Sequence, residues 1–412
     1  MLCGDKLNYK ETIEYIHSLG NFTLPPSLER IKTVCERLGN IQNSFPAVHI
    51  AGTNGKGSVC SMLSKIFQVA GYKTGLFISP FIIDFTERIQ INGKFIPEDT
   101  LCRLSKKVID TNIRLNEFEF ITAVAFLYFA EEKCDIVICE TGLGGRLDAT
   151  NVLENKIASV LCKIGLDHTS VLGGTIEEIT KEKCGIIKKS KVVSNPNQPK
   201  EAFSVIKKYA DNLIIPTLSQ FENLQDNKFI YKGKEYELSL TGDFQKENAL
   251  IVLETVENLE YNISYETVYK ALKNTFFPAR MEKLCENPLI IIDGAHNPDG
   301  ASVLAEEIKK YNGNVTAVVG MMKDKAIEEV LKTVLPYCKN SVITEVENMP
   351  RSITAKELFD ISKKYCKGYI ETDYKKAIEK AVAISNGGAV FIFGSLYLAA
   401  DIRKNLIKNK YF

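Results

Sequence analysis

The chain has no tryptophan, only four histidines and no cysteine pair in C-x-x-C spacing. Its eleven cysteines are scattered, and Cys134, Cys139 and Cys162 sit inside apolar runs. That pattern argues against a zinc site or disulfide framework and for buried free thiols in a reducing cytoplasm. No apolar run approaches ~20 residues, which excludes a membrane-spanning helix. Lys plus Arg number 52 against 51 Asp plus Glu, so the basic excess expected of a nucleic-acid binder is missing. Met1-Leu2-Cys3-Gly4-Asp5-Lys6 lacks the charged-then-apolar order of a signal peptide. Repeats and low-complexity tracts are absent. No G-x-G-x-x-G follows a strand, which removes a dinucleotide oxidoreductase. What remains is a soluble chain of 412 residues, 45% hydrophobic and 25% charged, long enough for two domains.

Apolar runs alternate with amphipathic stretches, the pattern of a mostly parallel α/β sheet. In the first part, strands are predicted at Ala47–Ala51, Gly75–Ile78, Asp135–Glu140, Ala158–Ile164 and Val192–Ser194. Helices are predicted at Ser58–Ala70, Glu98–Leu115, Phe120–Glu132, Ile176–Lys188 and Pro199–Asp211. Residues 213–240 lose this alternation, and Lys232-Gly233 reads as the turn of a hairpin. A helix from about Gln245 to Leu259 follows. Five further strands, Leu289–Asp293, Val315–Val319, Ser341–Thr344, Tyr369–Glu371 and Val390–Phe393, describe a smaller Rossmann-like domain. The stretch from Asn274 to Arg280 reads as the hinge, because Pro278 stops the preceding helix. The fold class is α/β: a P-loop ATPase domain over 1–284 with a mostly parallel sheet, then a Rossmann-like domain over 285–412.

Chemistry concentrates at strand ends. Gly52-Thr53-Asn54-Gly55-Lys56-Gly57-Ser58 lies between a strand and a helix, where a glycine-rich turn aims backbone N–H groups and a lysine at polyphosphate. It is not a strict Walker A, since Ile50 replaces its first glycine and Gly57 separates Lys56 from Ser58. Ser79-Pro80, the stretch Glu140 through Asn151 and Gly165-Leu166-Asp167-His168 end other strands of the same sheet. A hard divalent cation beside triphosphate wants few oxygen-type protein ligands, and Ser79, Glu140 and His168 fit such a set. His17 and His49 lack this setting and read as structural. Lys183 adjoins the apolar Cys184-Gly185-Ile186-Ile187, which would desolvate it and lower its pKa. In the second domain, Asp293 through Gly300 is a turn loaded with donors and acceptors. Helix capping by Asn297 or Asp299 explains part of it, but not His296 beside Asp293. Arg280 on the hinge is a candidate for phosphate oxygens.

Together these stretches resemble the folylpolyglutamate synthase/dihydrofolate synthase family of the Mur ligase superfamily. The resemblance takes in His49 through Ser58, Glu87 through Gly93, Glu140 through Asn151 and Gly165 through His168. It continues through Glu182 to Ile186, Gly242 through Ala249, Pro278 through Glu282, Asp293 through Gly300 and Phe393 through Tyr397, in the family's order and over nearly the whole chain. It implies an ATPase domain followed by a Rossmann-like domain, with the active site in the cleft. It assigns Asn54, Gly55, Lys56, Gly57 and Ser58 to triphosphate, Asn248 to adenine, and Arg280 and Asp293 to further nucleotide contacts. Ser79, Glu140 and His168 become magnesium ligands. Lys183 falls at the lysine that carries a carbamate, and Lys56, His168, Lys183 and His296 form the catalytic set. Ser27, Leu28, Arg30, Phe118, Glu119 and Leu147 fall on the pterin side. Phe81, Asn116 and Cys184 depart from the family's usual residues, and the first two border the pterin pocket.

The implied enzyme is a cytoplasmic, monomeric ATP-dependent amide ligase using Mg2+. Its substrates are dihydropteroate or folate, L-glutamate and ATP, with no nucleic-acid or membrane partner, and it carries both glutamate-adding activities. The alternatives are a monofunctional folylpolyglutamate synthase or a P-loop NTPase binding module without ligase activity. A muramyl-peptide ligase would need a UDP-sugar domain, for which the residues before the phosphate loop leave no room.

Overall fold

The computed structural model describes residues 8–20, 23–82, 84–347 and 349–409. The stretch Met1–Lys6 considered above, Cys3 included, lies outside them. Two compact units result. One runs to Ser239 and resumes over Gln245–Thr275; the other takes Leu240–Phe244 and the residues from Phe276 onward.

The first unit is built on an eight-stranded sheet: β1 (Ala47–Ala51), β2 (Thr74–Phe77), β3 (Ile89–Ile91), β4 (Lys94–Phe95), β5 (Ile136–Glu140), β6 (Lys156–Leu161), β7 (Lys191–Ser194) and β8 (Leu213–Ile214). Its order is β4-β3-β2-β5-β1-β6-β7-β8. All pairings from β2 to β8 are parallel, and β3 and β4 add an antiparallel margin. Strands β1, β2 and β5 are buried at every position, as expected where helices cover both faces of a parallel sheet. Because β2, β5, β1 and β6 are consecutive neighbours running the same way, the segments after them gather along one sheet edge. That edge receives Ser79, Glu140, the glycine-rich loop and Gly165–His168.

Helix Glu117–Glu131 is apolar on almost every face and nearly all buried, the mark of a core helix rather than a surface one. Phe45 packs edge-on against its Phe126 and Phe129, with ring centroids 5.8 and 6.0 Å apart. A separate three-stranded sheet comprises β9 (Phe221–Asn223), β10 (Lys228–Tyr231) and β11 (Lys234–Glu237). The expected hairpin is β10–β11, with Lys232 and Gly233 both at positive φ, 50° and 73°, the signature of a type I′ turn.

The second unit has six strands, not five: β12 (Glu282–Glu286), β13 (Leu289–Ile292), β14 (Val315–Val319), β15 (Asn340–Ile343), β16 (Lys367–Ile370) and β17 (Ala389–Phe393), in the order β12-β13-β17-β14-β15-β16. The added strand β12 pairs antiparallel with β13 while the rest are parallel. Its half-exposed, charged sequence Glu-Lys-Leu-Cys-Glu gives no apolar run to detect.

Two predicted helices overran. Helix Glu98–Ile109 stops before Leu115, with Asn112 at φ 53°; Ile113 and Leu115 reach the same core from outside the helix, so apolar spacing continued after the helix ended. Helix Ile176–Cys184 likewise stops before Lys188. Helices Tyr9–Ser18, Glu29–Arg37 and Tyr265–Lys273 and the β3–β4 hairpin went unpredicted.

Phe126 is fully buried, and removing its ring leaves a void its neighbours cannot close. Phe126→Ala is expected to cost about 3–5 kcal/mol, read as a lower urea midpoint for the transition that reports the first unit.

Candidate active site

The glycine-rich loop connects β1 to helix Lys56–Val69. Gly55 caps that helix at φ 89°, a left-handed conformation costly for a residue with a Cβ. A Cβ there would also lie 2.4 Å from Asn248 Oδ1. The loop is fastened to the segment after β6: Thr53 and Asn54 N–H donate to Lys163 O at 2.8 and 3.2 Å. Thr53 Oγ1 exchanges hydrogen bonds with Gly165 O and N at 2.9 and 3.0 Å. The first-turn amides, at Lys56, Gly57 and Ser58, have no carbonyl within the helix to bind, which makes the helix start an anion site.

Two amines meet at one atom of this loop. Lys56 Nζ donates to Gly52 O at 3.0 Å and Thr53 O at 3.3 Å, and Lys183 Nζ donates to the same Gly52 O at 2.8 Å. Lys183 is 4% exposed. Burial first, and then the Lys56 charge, lower its pKa to about 7, so the amine titrates near neutrality. Lys56, Glu140 and Lys183 all act electrostatically on the buried Cys162 thiol, whose pKa burial raises.

Glu140 is buried at the end of β5, and its Oε2 accepts the Ser79 N–H at 3.1 Å. The structure therefore brings Glu140 and Ser79 together. His168 stands exposed on the loop after β6 at φ 49°, its Nε2 3.9 Å from Asp167 Oδ2. No cluster of three His, Cys, Asp or Glu side chains able to hold a metal occurs among the described residues. A buried carboxylate beside a serine still suits a hard cation that shares its sphere with phosphate oxygens and water.

The helix carrying Lys183 lies against the loop after Glu140. A Cβ on Gly145 would sit 2.7 and 2.8 Å from the Glu182 and Lys183 carbonyl oxygens, and one on Gly185 would sit 2.4 Å from Arg146 Cα. Arg146 N–H donates to Glu182 O at 2.7 Å, its guanidinium meets the Glu182 carboxylate, and Asn151 Nδ2 donates to the Arg146 and Gly185 oxygens, both at 3.0 Å. Asp148 shapes the loop from inside, accepting N–H groups of Leu143 at 2.8 Å and Thr150 at 3.0 Å. His49, its pKa held well down by burial, contacts Thr150 Oγ1 at 2.8 Å, a structural role.

Among the residues that the resemblance assigns to the pterin, Arg30 Nη2 contacts Glu119 Oε1 and Pro25 O, both at 2.7 Å. Phe118 closes on Gly142, where a Cβ would fall 2.4 Å from its Cζ. Asn116 and Glu119 form the capping box of the core helix. Ser27 Oγ accepts from Glu29 N–H at 3.1 Å, Leu28 packs on the core, and Leu147 is exposed at the loop tip. Phe81 stacks edge-on with Phe85, and Arg88 lies over both rings.

Asn248, in the first unit, donates from Nδ2 to Gln245 Oε1 at 3.0 Å. In the second unit, Asp293 is buried, and its two oxygens accept the Met281 and Ala295 N–H groups, each at 2.8 Å. The Arg280 charge acts on it. His296 Nδ1 lies 2.8 Å from Gly294 O; a carbonyl only accepts, so Nδ1 carries the proton. Asn297 caps helix Pro298–Lys309 through the Gly300 N–H.

Comparison with known families matches residues 50–256 to the Mur ligase middle domain and residues 279–396 to the Mur ligase glutamate ligase domain. Among curated proteins, the dihydrofolate synthase/folylpolyglutamate synthase of Bacillus subtilis is 37% identical, over 97% of this chain and 99% of its own. The chain belongs to the folylpolyglutamate synthase/dihydrofolate synthase family of Mur ligases. The folylpolyglutamate synthase of Lacticaseibacillus casei is 31% identical over 98% of this chain and all of its own. Family structures superpose over the full length: E. coli FolC in complex with DHPP and ADP has a TM-score of 0.89 at 28% identity, covering 98% of this chain and 99% of that one. The bifunctional enzyme of Yersinia pestis, complexed with AMPPNP and Mn ion, has a TM-score of 0.86 at 28% identity, covering 97% and 98%.

Against the family's motifs, the residues that went unassigned are Thr53, Asp148 and Asn151. The Asp-x-Thr spacing of Asp148 and Thr150 is a detectable turn signal, whereas Thr53's partner Gly165 and Asn151's partner Gly185 are far off in sequence.

Lys183 holds its proton only to about pH 7 when folded, against 10.5 ordinarily. Between those values the unfolded chain binds more protons, so wild-type stability rises with pH there, and the burial cost is fully present below pH 7. Lys183→Met lacks this slope. The stability gap between the variant and wild type is expected to move in the wild type's favour by about 1 kcal/mol per pH unit from pH 7 to 10, measured by urea unfolding at three pH values.

Proposed function

We propose that this protein is an ATP-dependent amide ligase that adds L-glutamate to dihydropteroate and to the terminal glutamate of folates. The observation that carries the reading is the meeting of Lys56 and Lys183 on Gly52 O, beside buried Glu140 and a helix start. Lys56 and the helix-start amides supply the positive charge and donors suited to a phosphoryl group in transfer, and Glu140 an acceptor for a cation beside it.

A carboxylate is a poor electrophile. ATP phosphorylates the pteroyl or glutamyl carboxylate, giving an acyl phosphate and ADP; glutamate's amine attacks, and the tetrahedral intermediate collapses to amide and phosphate. Lys56 and the first-turn amides from Gly55 to Ser58 offset the charge of the two approaching anions. Asn54, in that loop, and Asn248, beside it, act as nucleotide contacts, and the second unit carries Arg280 and Asp293 as nucleotide contacts of its own. Ser79, Glu140 and His168 would hold Mg2+, which would supply Lewis-acid charge neutralisation at the phosphates. The neutral amine of Lys183 is the form that captures CO2, which supports a carbamate there. His296, whose Nδ1 carries a proton toward Gly294 O, completes the catalytic set. Arg30, Glu119, Phe118, Ser27, Leu28 and Leu147 form the acceptor side. The first unit is the ATP-binding domain and the second the glutamate ligase domain, in keeping with the families each matches.

The protein works as a cytoplasmic monomer on small molecules. Free thiols at all ten described cysteines support a reducing compartment, and the near balance of charge supports the lack of a nucleic-acid partner. No described helix is long and apolar enough to cross a membrane.

Purified protein given ATP, Mg2+ and L-glutamate is expected to release phosphate with either dihydropteroate or tetrahydrofolate, each product gaining one glutamate by mass. Turnover of only one acceptor would overturn bifunctionality; phosphate release that ignores glutamate would favour an NTPase module instead. Lys56→Ala is expected to lower kcat about 10²–10³-fold, measured with saturating acceptor.

A further inference from the structure

The turn Ala279-Arg280-Met281 has an unusual backbone. Ala279 and Met281 both have positive φ, 52° and 48°, a region that crowds a Cβ and that glycine or asparagine normally fills. Both residues are buried. Backbone of this kind persists only where its surroundings over-determine it, and here two carboxylates do so. Glu282 Oε2 accepts the Ala279 N–H at 2.8 Å, and Asp293 Oδ2 accepts the Met281 N–H at 2.8 Å. Gly294 N–H closes the turn on Ala279 O at 2.9 Å.

Asp293 belongs to the site already described; Glu282 does not. Its carboxylate is in turn gripped by Arg403 of the C-terminal helix, whose Nε donates to both oxygens at 2.9 and 3.1 Å. The side chains of this pair are only 10% and 12% exposed. The Arg403 guanidinium also lies over the Phe276 ring at 5.1 Å, four residues before Arg280. Arg280 sits between the two left-handed residues, and its Nη1 comes within 3.3 Å of where a Gly294 Cβ would stand.

We propose that Glu282 and Arg403 are positioning residues: their ion pair clamps the left-handed turn and thereby fixes the direction of the Arg280 side chain. The proposal rests on the reading of Arg280 as a nucleotide contact. A pair that merely anchors the C-terminal helix would affect stability without favouring one substrate.

The test compares steady-state constants for Arg280→Met, for the double variant Glu282→Met/Arg403→Met, which removes both charges rather than stranding one, and for their combination. Arg280→Met is expected to raise the KM for ATP at least tenfold. The double variant should approach that value while the KM for glutamate stays within twofold, and the combination should be no worse than Arg280→Met alone, since residues acting through one group are not additive. Adding Ala279→Gly to the double variant should recover at least threefold in KM for ATP, because glycine adopts the left-handed turn without a clamp. A folded double variant with wild-type KM for ATP, or effects that multiply with Arg280→Met, would overturn the clamp. An unchanged KM in Arg280→Met would instead overturn the nucleotide reading of Arg280, and the clamp's purpose with it. Should the double variant fail to fold, Arg403→Lys, which keeps the charge but not the planar guanidinium, carries the same comparisons.

Discussion

The carbonyl oxygen of Gly52 is the atom on which the first unit's chemistry turns. It accepts hydrogen bonds from both Lys56 and Lys183, and two ammonium groups are not held on one neutral acceptor without cost. Burial resolves the conflict by lowering the Lys183 pKa toward neutrality. Lys183 is thereby pushed toward its neutral amine form, and the helix that carries it sets where that amine lies.

The Lys183 helix is kept in register by close backbone contact as well as by the Arg146 and Asn151 side chains. Gly145 and Gly185 let the loop after Glu140 and the end of the Lys183 helix approach to distances that leave no room for a methyl group. Thr53 binds the glycine-rich loop to the segment after β6. Rigid placement of this sort is what a transfer between two anions requires, because preorganised groups need not reorganise as charge develops. In the second unit the same economy recurs: Asp293 uses both oxygens on backbone N–H groups, ordering the turn that carries Arg280.

Much of the architecture was legible because fully buried parallel strands leave unbroken apolar runs. Strands β1 and β14 fall where those runs predict them, and the hairpin at Lys232-Gly233 follows from its turn residues. The less legible parts had weak or misleading signals. Strand β12 is charged and half exposed, and Ile113 and Leu115 mimic a continuing helix while packing as non-helical chain. The site divides the same way. Lys56, Glu140 and Lys183 lie in recognisable local settings. The link of Asn151 to Gly185 or of Arg403 to Glu282 joins residues 34 and 121 positions apart, and no local pattern encodes either.

The sequence by itself determined the α/β class, the glycine-rich loop between strand and helix, the family and the apolar surroundings of Lys183, because each depends on residues close together in the chain. Only the tertiary structure decided that Lys183 and Lys56 share one acceptor, that Ser79 meets Glu140 through its backbone N–H, and that the Arg280 turn is left-handed on both sides. Those facts depend on which strand lies beside which and on how closely two backbones can approach, and distances between remote segments exist only after the chain has folded.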